Sequence, residues 1–184
     1  MRLRFVAVLG VIAVVLAVVL VLVLSGGPEQ AEEQPGRPLI WSFDMRDLYR
    51  VEITLNDVGL SEAWFRTEDR VWYFDRPDRP RVDMDRWGGG VPFLLSGPRA
   101  TRIIADDIRA QDLVVYGLDQ PRMSLHLEHG EKPDVVDMIV GDQTPDGISY
   151  YLQLVGTGTV YTVDHTWYDI MERLVLEPPY LPDR

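Results

Sequence analysis

Arg50–Leu55 reads RVEITL and Arg122–Leu127 reads RMSLHL. Both alternate strictly. Val51, Ile53 and Leu55 share one side of an extended chain and Glu52 and Thr54 the other; Met123, Leu125 and Leu127 face one way, Ser124 and His126 the opposite way. Successive side chains of a strand point to opposite faces, so a period of two predicts strands with one dry face and one wet face. Antiparallel pairing suits such strands, and their dry face needs a cover of helices.

The same signals continue on either side. Asp44–Leu48 has the makings of one helical turn. Glu62–Glu68 (EAWFRTE) and Arg70–Phe74 (RVWYF) predict two strands with Asp69 at the tight turn between them. Asp75–Arg81 is a polar loop broken by prolines. In Val82–Gly97 a helical pattern is interrupted by Gly88, Gly89, Gly90 and Pro92, leaving a short helix that Pro92 opens and Leu95 ends. Arg99–Ile104 predicts a strand. Asp112 then caps a single turn, Leu113–Tyr116, which Gly117 closes in the left-handed conformation.

After Pro121 the pattern starts over. Arg122–Leu127 is followed by strands at Val135–Val140, at Ile148–Val155 beyond the turn GDQTPDG, and at Thr159–Val163 beyond Gly156–Gly158. A closing helix has Thr166 and Asp169 as a capping box and Trp167, Ile170, Met171 and Leu174 as its apolar stripe; Pro178 and Pro179 stop it. The order strand, strand, strand, helix recurs near 50–97 and near 122–177, at unequal spacing. The expected class is α+β: antiparallel sheets with covering helices, compatible with two β-β-β-α pseudo-repeats over 39–177.

Ahead of this body lies Phe5–Leu24, twenty residues with no charge and no side-chain hydrogen-bonding group. As a helix it would span roughly 30 Å, the hydrocarbon thickness of a bilayer. Arg2 and Arg4 precede it, so the positive-inside rule keeps residues 1–4 cytoplasmic and sends the remainder outward. A cleaved signal peptide is the competing reading, but its apolar core is about 7–15 residues long. A retained single-pass anchor in the cell membrane is expected. Ser25–Pro38 reads SGGPEQAEEQPGRP, of which eleven residues are Gly, Pro, Glu or Gln, so 25–38 is a flexible tether. Residues 178–184 read as a C-terminal tail.

Composition narrows the activities. The whole chain carries 18 Lys and Arg against 29 Asp and Glu; Arg2 and Arg4 belong to the anchor segment, leaving 16 against 29, a net charge of −13 on the outer part. Nucleic acid and anionic headgroups both need a basic footprint, so this surface taken as a whole repels both, and no nucleic-acid partner is expected. With no cysteine there is no disulfide, thiolate metal site, cysteine nucleophile or lipidated cysteine.

Each cluster that carries chemistry has a plainer explanation. His126 and His129 are three apart, and on a strand such residues face opposite ways, which disfavours shared metal ligation; His126 shares its face with Ser124 and Glu128 in an exposed polar stripe. Asp142, Thr144, Asp146 and Gly147 resemble the start of a calcium loop, but its twelfth position is Gln153 where a bidentate Glu is required, so a hairpin turn is preferred. Asp164-His165 lacks the activated nucleophile of a triad, and Asp164 or Thr166 reads as a helix cap. Gly88–Gly90 lacks the Lys-Ser/Thr of a phosphate loop. Acid pairs such as Asp106-Asp107 are commonplace in so acidic a chain. Trp64, Trp72 and Trp87 would suit a sugar-stacking platform, except that Trp72 falls in a strand expected to be core. No metal, cofactor or catalytic residue is assigned, and the chain is read as a non-enzyme.

The run DLVVYGLDQPRMSLHL, followed by VGDQTPDGISYYLQL and TVYTVDH, resembles the bacterial family catalogued as domain of unknown function 4340. Its similar features are Tyr116-Gly117-Leu118-Asp119-x-Pro121, a strand ending in Gly141, and a Tyr-rich strand after Asp146-Gly147. DLYRVEITL and RVWYF look like that family's opening strands, so the resemblance runs over roughly 39–177. It departs at Val82–Gly97, where glycines and Pro92 replace a longer helix. The resemblance implies a membrane-anchored extracytoplasmic domain, in several members tied to gliding-motility-type ABC transport systems, and no catalytic residues. The signature has a structural explanation: Gly117 permits the reversal into the next strand, Asp119 bonds neighbouring amides, and Pro121 sets the start of that strand. The expected function is thus a non-catalytic accessory module of a membrane protein complex. An accessory single-span subunit of another, energy-converting complex and an envelope glycan- or peptide-binding protein are the alternatives.

Overall fold

The computed structural model of the protein describes residues 36–87, 90–130 and 134–181. Phe5–Leu24 and most of the tether lie outside these; among the described residues no helix is long and apolar enough to cross a membrane. The elements are β1 (Leu48–Leu55), β2 (Leu60–Arg66), β3 (Trp72–Phe74), α1 (Met84–Trp87), α2 (Gly90–Ser96), β4 (Arg102–Ala105), a 3₁₀ segment (Ala110–Tyr116), β5 (Met123–His129), β6 (Asp134–Gln143), β7 (Ser149–Leu154), β8 (Val160–Asp164) and α3 (His165–Leu176).

All eight strands join one antiparallel sheet in the order β3-β2-β1-β5-β6-β7-β8-β4. The two halves were expected to form a sheet each. Instead RVEITL and RMSLHL lie side by side, with Val51 opposite Leu127, Ile53 opposite Leu125 and Leu55 opposite Met123. The physical reason is the phase they share: paired this way, their dry residues form one continuous surface and neither half keeps an unpaired inner edge.

β3 and β4 follow one another in the chain yet occupy opposite edges of the sheet. The connection between them must cross the sheet, and it carries α1 and α2 over the dry face. α3 packs across β1, β2, β7 and β8. Val51, Ile53, Leu125, Leu127, Trp64, Phe74, Trp87, Leu95 and Met171 belong to a single buried cluster beneath these helices. Trp64 and Trp72 flank Trp87, at centroid distances of 5.0 and 5.2 Å. The helix expected at Pro92 is present, with Val91, Pro92 and Leu95 buried.

Three local details differ from expectation. Asp112 does not cap the turn before Gly117; the turn is a 3₁₀ segment beginning at Ala110, and Asp112 pairs with Arg109 at 2.9 Å. Thr166 does not cap α3; the Asp164 carboxylate accepts from the Thr166 amide at 2.9 Å, because Asp164 stands one residue ahead of the helix. Tyr180 does not trail into solvent: it bridges to Val82 and stacks on Phe74 at 4.3 Å, sealing the core beside β3.

Candidate functional site

The face of the sheet turned away from the helices carries the polar half of each alternating strand. Glu52, His126 and Asp137 stand directly opposite one another on β1, β5 and β6. His126 Nδ1 lies 2.6 Å from Asp137 Oδ1, and its Nε2 lies 3.4 Å from Glu128 Oε1. Arg50 pairs with Asp75, with Glu128 at 3.2 Å and with Glu52 at 3.4 Å. A bulge between Leu48 and Arg50 brings two consecutive side chains to one carboxylate, so the Tyr49 hydroxyl also donates to Glu128, at 2.7 Å.

The charges follow from this geometry. Burial alone would lower the His126 pKa, but the hydrogen bond and charge of Asp137, reinforced by Glu128, outweigh it and raise it above the ordinary histidine value. Burial, with the bond to Glu128, pushes the Tyr49 hydroxyl up to about 12. The cluster thus sets the His126 ring between two carboxylates and pairs Arg50 with three. On the same face the Ser124 hydroxyl accepts from Asn56 Nδ2 at 2.9 Å. Among the described residues no group of three metal-ligating side chains occurs.

The signature residues form a second constellation, built from backbone. Gly117 closes the 3₁₀ segment at φ 65°. A Cβ on Gly141 would lie 2.1 Å from the Tyr116 carbonyl oxygen, and a Cβ on Gly117 would lie 2.6 Å from Asp142 Cγ. Tyr116-Gly117 thus rests directly on Gly141-Asp142, where the β6–β7 register shifts. Tyr116 meets Tyr151 edge-on at 4.9 Å. Leu118 is buried outside the main core cluster, as is Val160. The Pro121 carbonyl accepts from Asn56 Nδ2 at 3.0 Å, tying the start of β5 to the end of β1. Asp119 is exposed and makes no hydrogen bond among the described residues, so its expected bond to neighbouring amides is corrected.

The remaining candidates resolve as local structure. Gly147 has φ 74° in the β6–β7 turn. There the Thr144 hydroxyl donates to Asp146 Oδ1 at 2.6 Å and the Ile148 amide to the same oxygen at 3.2 Å, which holds the Asp146 carboxyl below its usual pKa. Asp146 Oδ1 is thus taken up within the turn, while Gln153 Nε2 donates to the Thr157 carbonyl at 2.9 Å between β7 and β8. His129 stacks on Phe43 at 4.1 Å, far in role from His126. His165 Nδ1 lies 3.2 Å from the Ile148 carbonyl. Asp106 and Asp107 are exposed. Trp64, Trp72 and Trp87 are all buried, which removes them as a sugar platform. The Arg50–Glu128–His126–Asp137 cluster was not singled out from the sequence. Its one readable signal was the shared phase of His126 and Glu128; Asp137 joins only through the β5–β6 register.

Residues 95–174 match the family model described as Domain of unknown function (DUF4340). The match runs from the end of α2 into α3 and contains every signature residue, while β1, β2 and β3 precede it. No curated protein and no solved structure matches the chain.

Proposed function

We propose that this chain, which carries the DUF4340 domain in residues 95–174, is a membrane-anchored, non-catalytic module that works outside the cytoplasm as an accessory part of a membrane protein complex. The observation that supports this reading is Phe5–Leu24, an uncharged run of bilayer length with Arg2 and Arg4 on its N-terminal side. The tether at 25–38 then keeps the α+β domain near its neighbours in the membrane. The resemblance to the family favours an ABC-type transport system as partner, with an energy-converting complex as the alternative. Crosslinking in intact cells followed by mild-detergent purification should recover a partner in fixed stoichiometry; a monomer at native abundance refutes the proposal.

A second reading, an envelope glycan- or peptide-binding protein, draws on Phe65 and Tyr73, which stack at 5.9 Å on the open side of β2 and β3 with Arg79 5.4 Å over Phe65. Binding to purified wall material that Phe65→Ala abolishes would favour it; equal binding by the variant would dismiss it.

A further inference from the structure

α2 is a short helix held firmly in place, and it sends one ring outward. Val91, Pro92 and Leu95 are buried, while Trp41 Nε1 donates to the Leu95 carbonyl at 2.8 Å and Trp167 Nε1 to the Leu94 carbonyl at 3.4 Å. Phe93, between them, is 67 % exposed, the one phenylalanine or tryptophan so exposed among the described residues. The 37–43 segment runs antiparallel to the chain leaving α2: the Phe43 amide donates to the Ser96 carbonyl at 2.9 Å, Ile40 to Pro98 at 3.1 Å, and Leu39 bridges Arg99. Leu39 is itself 47 % exposed. Arg99 Nη1 donates to the Arg37 carbonyl at 2.8 Å, which places two arginines of an acidic protein at this same corner.

We infer that this corner, Phe93 and Leu39 with Arg37 and Arg99 at its rim, rests on the lipid surface. The inference builds on the anchored reading above. Twelve residues, 25–36, separate Leu24 from Arg37. A random coil of twelve residues spans about 20 Å, whereas a domain of roughly 150 residues has a radius of gyration near 15 Å and so is about 40 Å across. The described chain starts at this corner, so an anchor ahead of Arg37 would draw this corner, rather than a remote one, toward the lipid. An aromatic ring suits the headgroup level, and arginines suit lipid phosphates. Val114 and Val115 on the 3₁₀ segment are 61 % and 71 % exposed, but they offer no ring, and the nearby Arg109 is engaged by Asp112.

The absence of cysteine makes the test direct. Phe93→Cys, Val115→Cys and, in the exposed turn between β1 and β2, Val58→Cys are made in the full chain, spin-labelled and reconstituted into phosphatidylethanolamine–phosphatidylglycerol vesicles. Accessibility to oxygen and to a water-soluble nickel chelate is then measured at each site. The inference predicts a several-fold higher oxygen-to-nickel ratio at 93 than at 115 or 58, reporting a depth within about 5–10 Å of the headgroup boundary. Equal ratios at 93 and 58, a deeper label at 115, or a label at 93 shielded from both reagents would each overturn it. Carbonate-washed vesicles are assayed in parallel. A chain that stays with the vesicles while position 93 remains aqueous defeats the lipid contact alone; a chain that washes off defeats the anchor as well.

Discussion

Gly141→Ala is the sharpest test of what the signature does. The added methyl would sit 2.1 Å from the Tyr116 carbonyl oxygen and 2.9 Å from the Gly117 carbonyl carbon. The closer contact is about 1.4 Å short of the roughly 3.5 Å optimum for such atoms. Both obstacles are backbone, so no side chain can rotate away. Relief requires the 3₁₀ segment to lift from β6, breaking the Tyr116–Tyr151 contact and uncovering Leu118. Overpacking of this kind costs about 1–3 kcal/mol, which in a domain of this size lowers Tm by roughly 3–10 °C. Gly59→Ala is the control. Gly59 has φ 67° with nothing within 4 Å of an added Cβ, so its cost is conformational only, about 1–2 kcal/mol. Thermal unfolding followed by near-ultraviolet circular dichroism measures both, with Tyr116 and Tyr151 as local reporters. Gly141→Ala is expected to lose the tyrosine signal near Gly141 as well as stability. A Gly141→Ala protein as stable as wild type would refute the close-packing explanation.

Three further outcomes are expected. His126 has a raised native pKa, so between the ordinary value of 6.5 and that raised value the folded state keeps a proton that the unfolded chain has released. Its contribution is therefore complete below about pH 6.5 and lost as pH rises through the native value; Tm plotted against pH should show this decline in wild type and lack it in His126→Gln. Arg76→Ala leaves Glu62, 6 % exposed on the core side of β2, without its cation and should destabilise by about 1–3 kcal/mol in urea, with Glu62→Gln relieving part of the loss in the double variant. Calcium should leave Tm unchanged, since the Asp146 carboxylate already accepts from Thr144 and Ile148; a marked rise would contradict the turn assignment.

Strands whose partners are polar on one side and apolar on the other were legible from residue order alone. Val51, Ile53 and Leu55, and Met123, Leu125 and Leu127, are buried as their alternation requires. Gly117 was legible too, because a turn ending in a left-handed residue leaves a local mark. What escaped depends on residues far apart in the chain. The merger of two expected sheets rests on β1 pairing with β5, some seventy positions away. Gly141 looked like a strand terminus, and only the approach of the Tyr116 carbonyl explains it. His126 showed a polar stripe with Glu128, but its strongest partner, Asp137, is supplied by the register of β6. Tyr180 followed two prolines and resembled a tail, although its ring completes the core against Phe74. Local periodicity thus reported which face each strand buries, and not which strand lies beside it.

Under the proposed function Phe5–Leu24 stays in the bilayer and keeps the domain outside the cytoplasm. Membranes from cells making the native protein, washed with alkaline carbonate, test it most directly when the pellet is analysed by intact mass. The expected result is a chain beginning at or next to Met1, retained in the pellet and cut by protease only from the outer side. A washed-out chain beginning near Gly26 would contradict it.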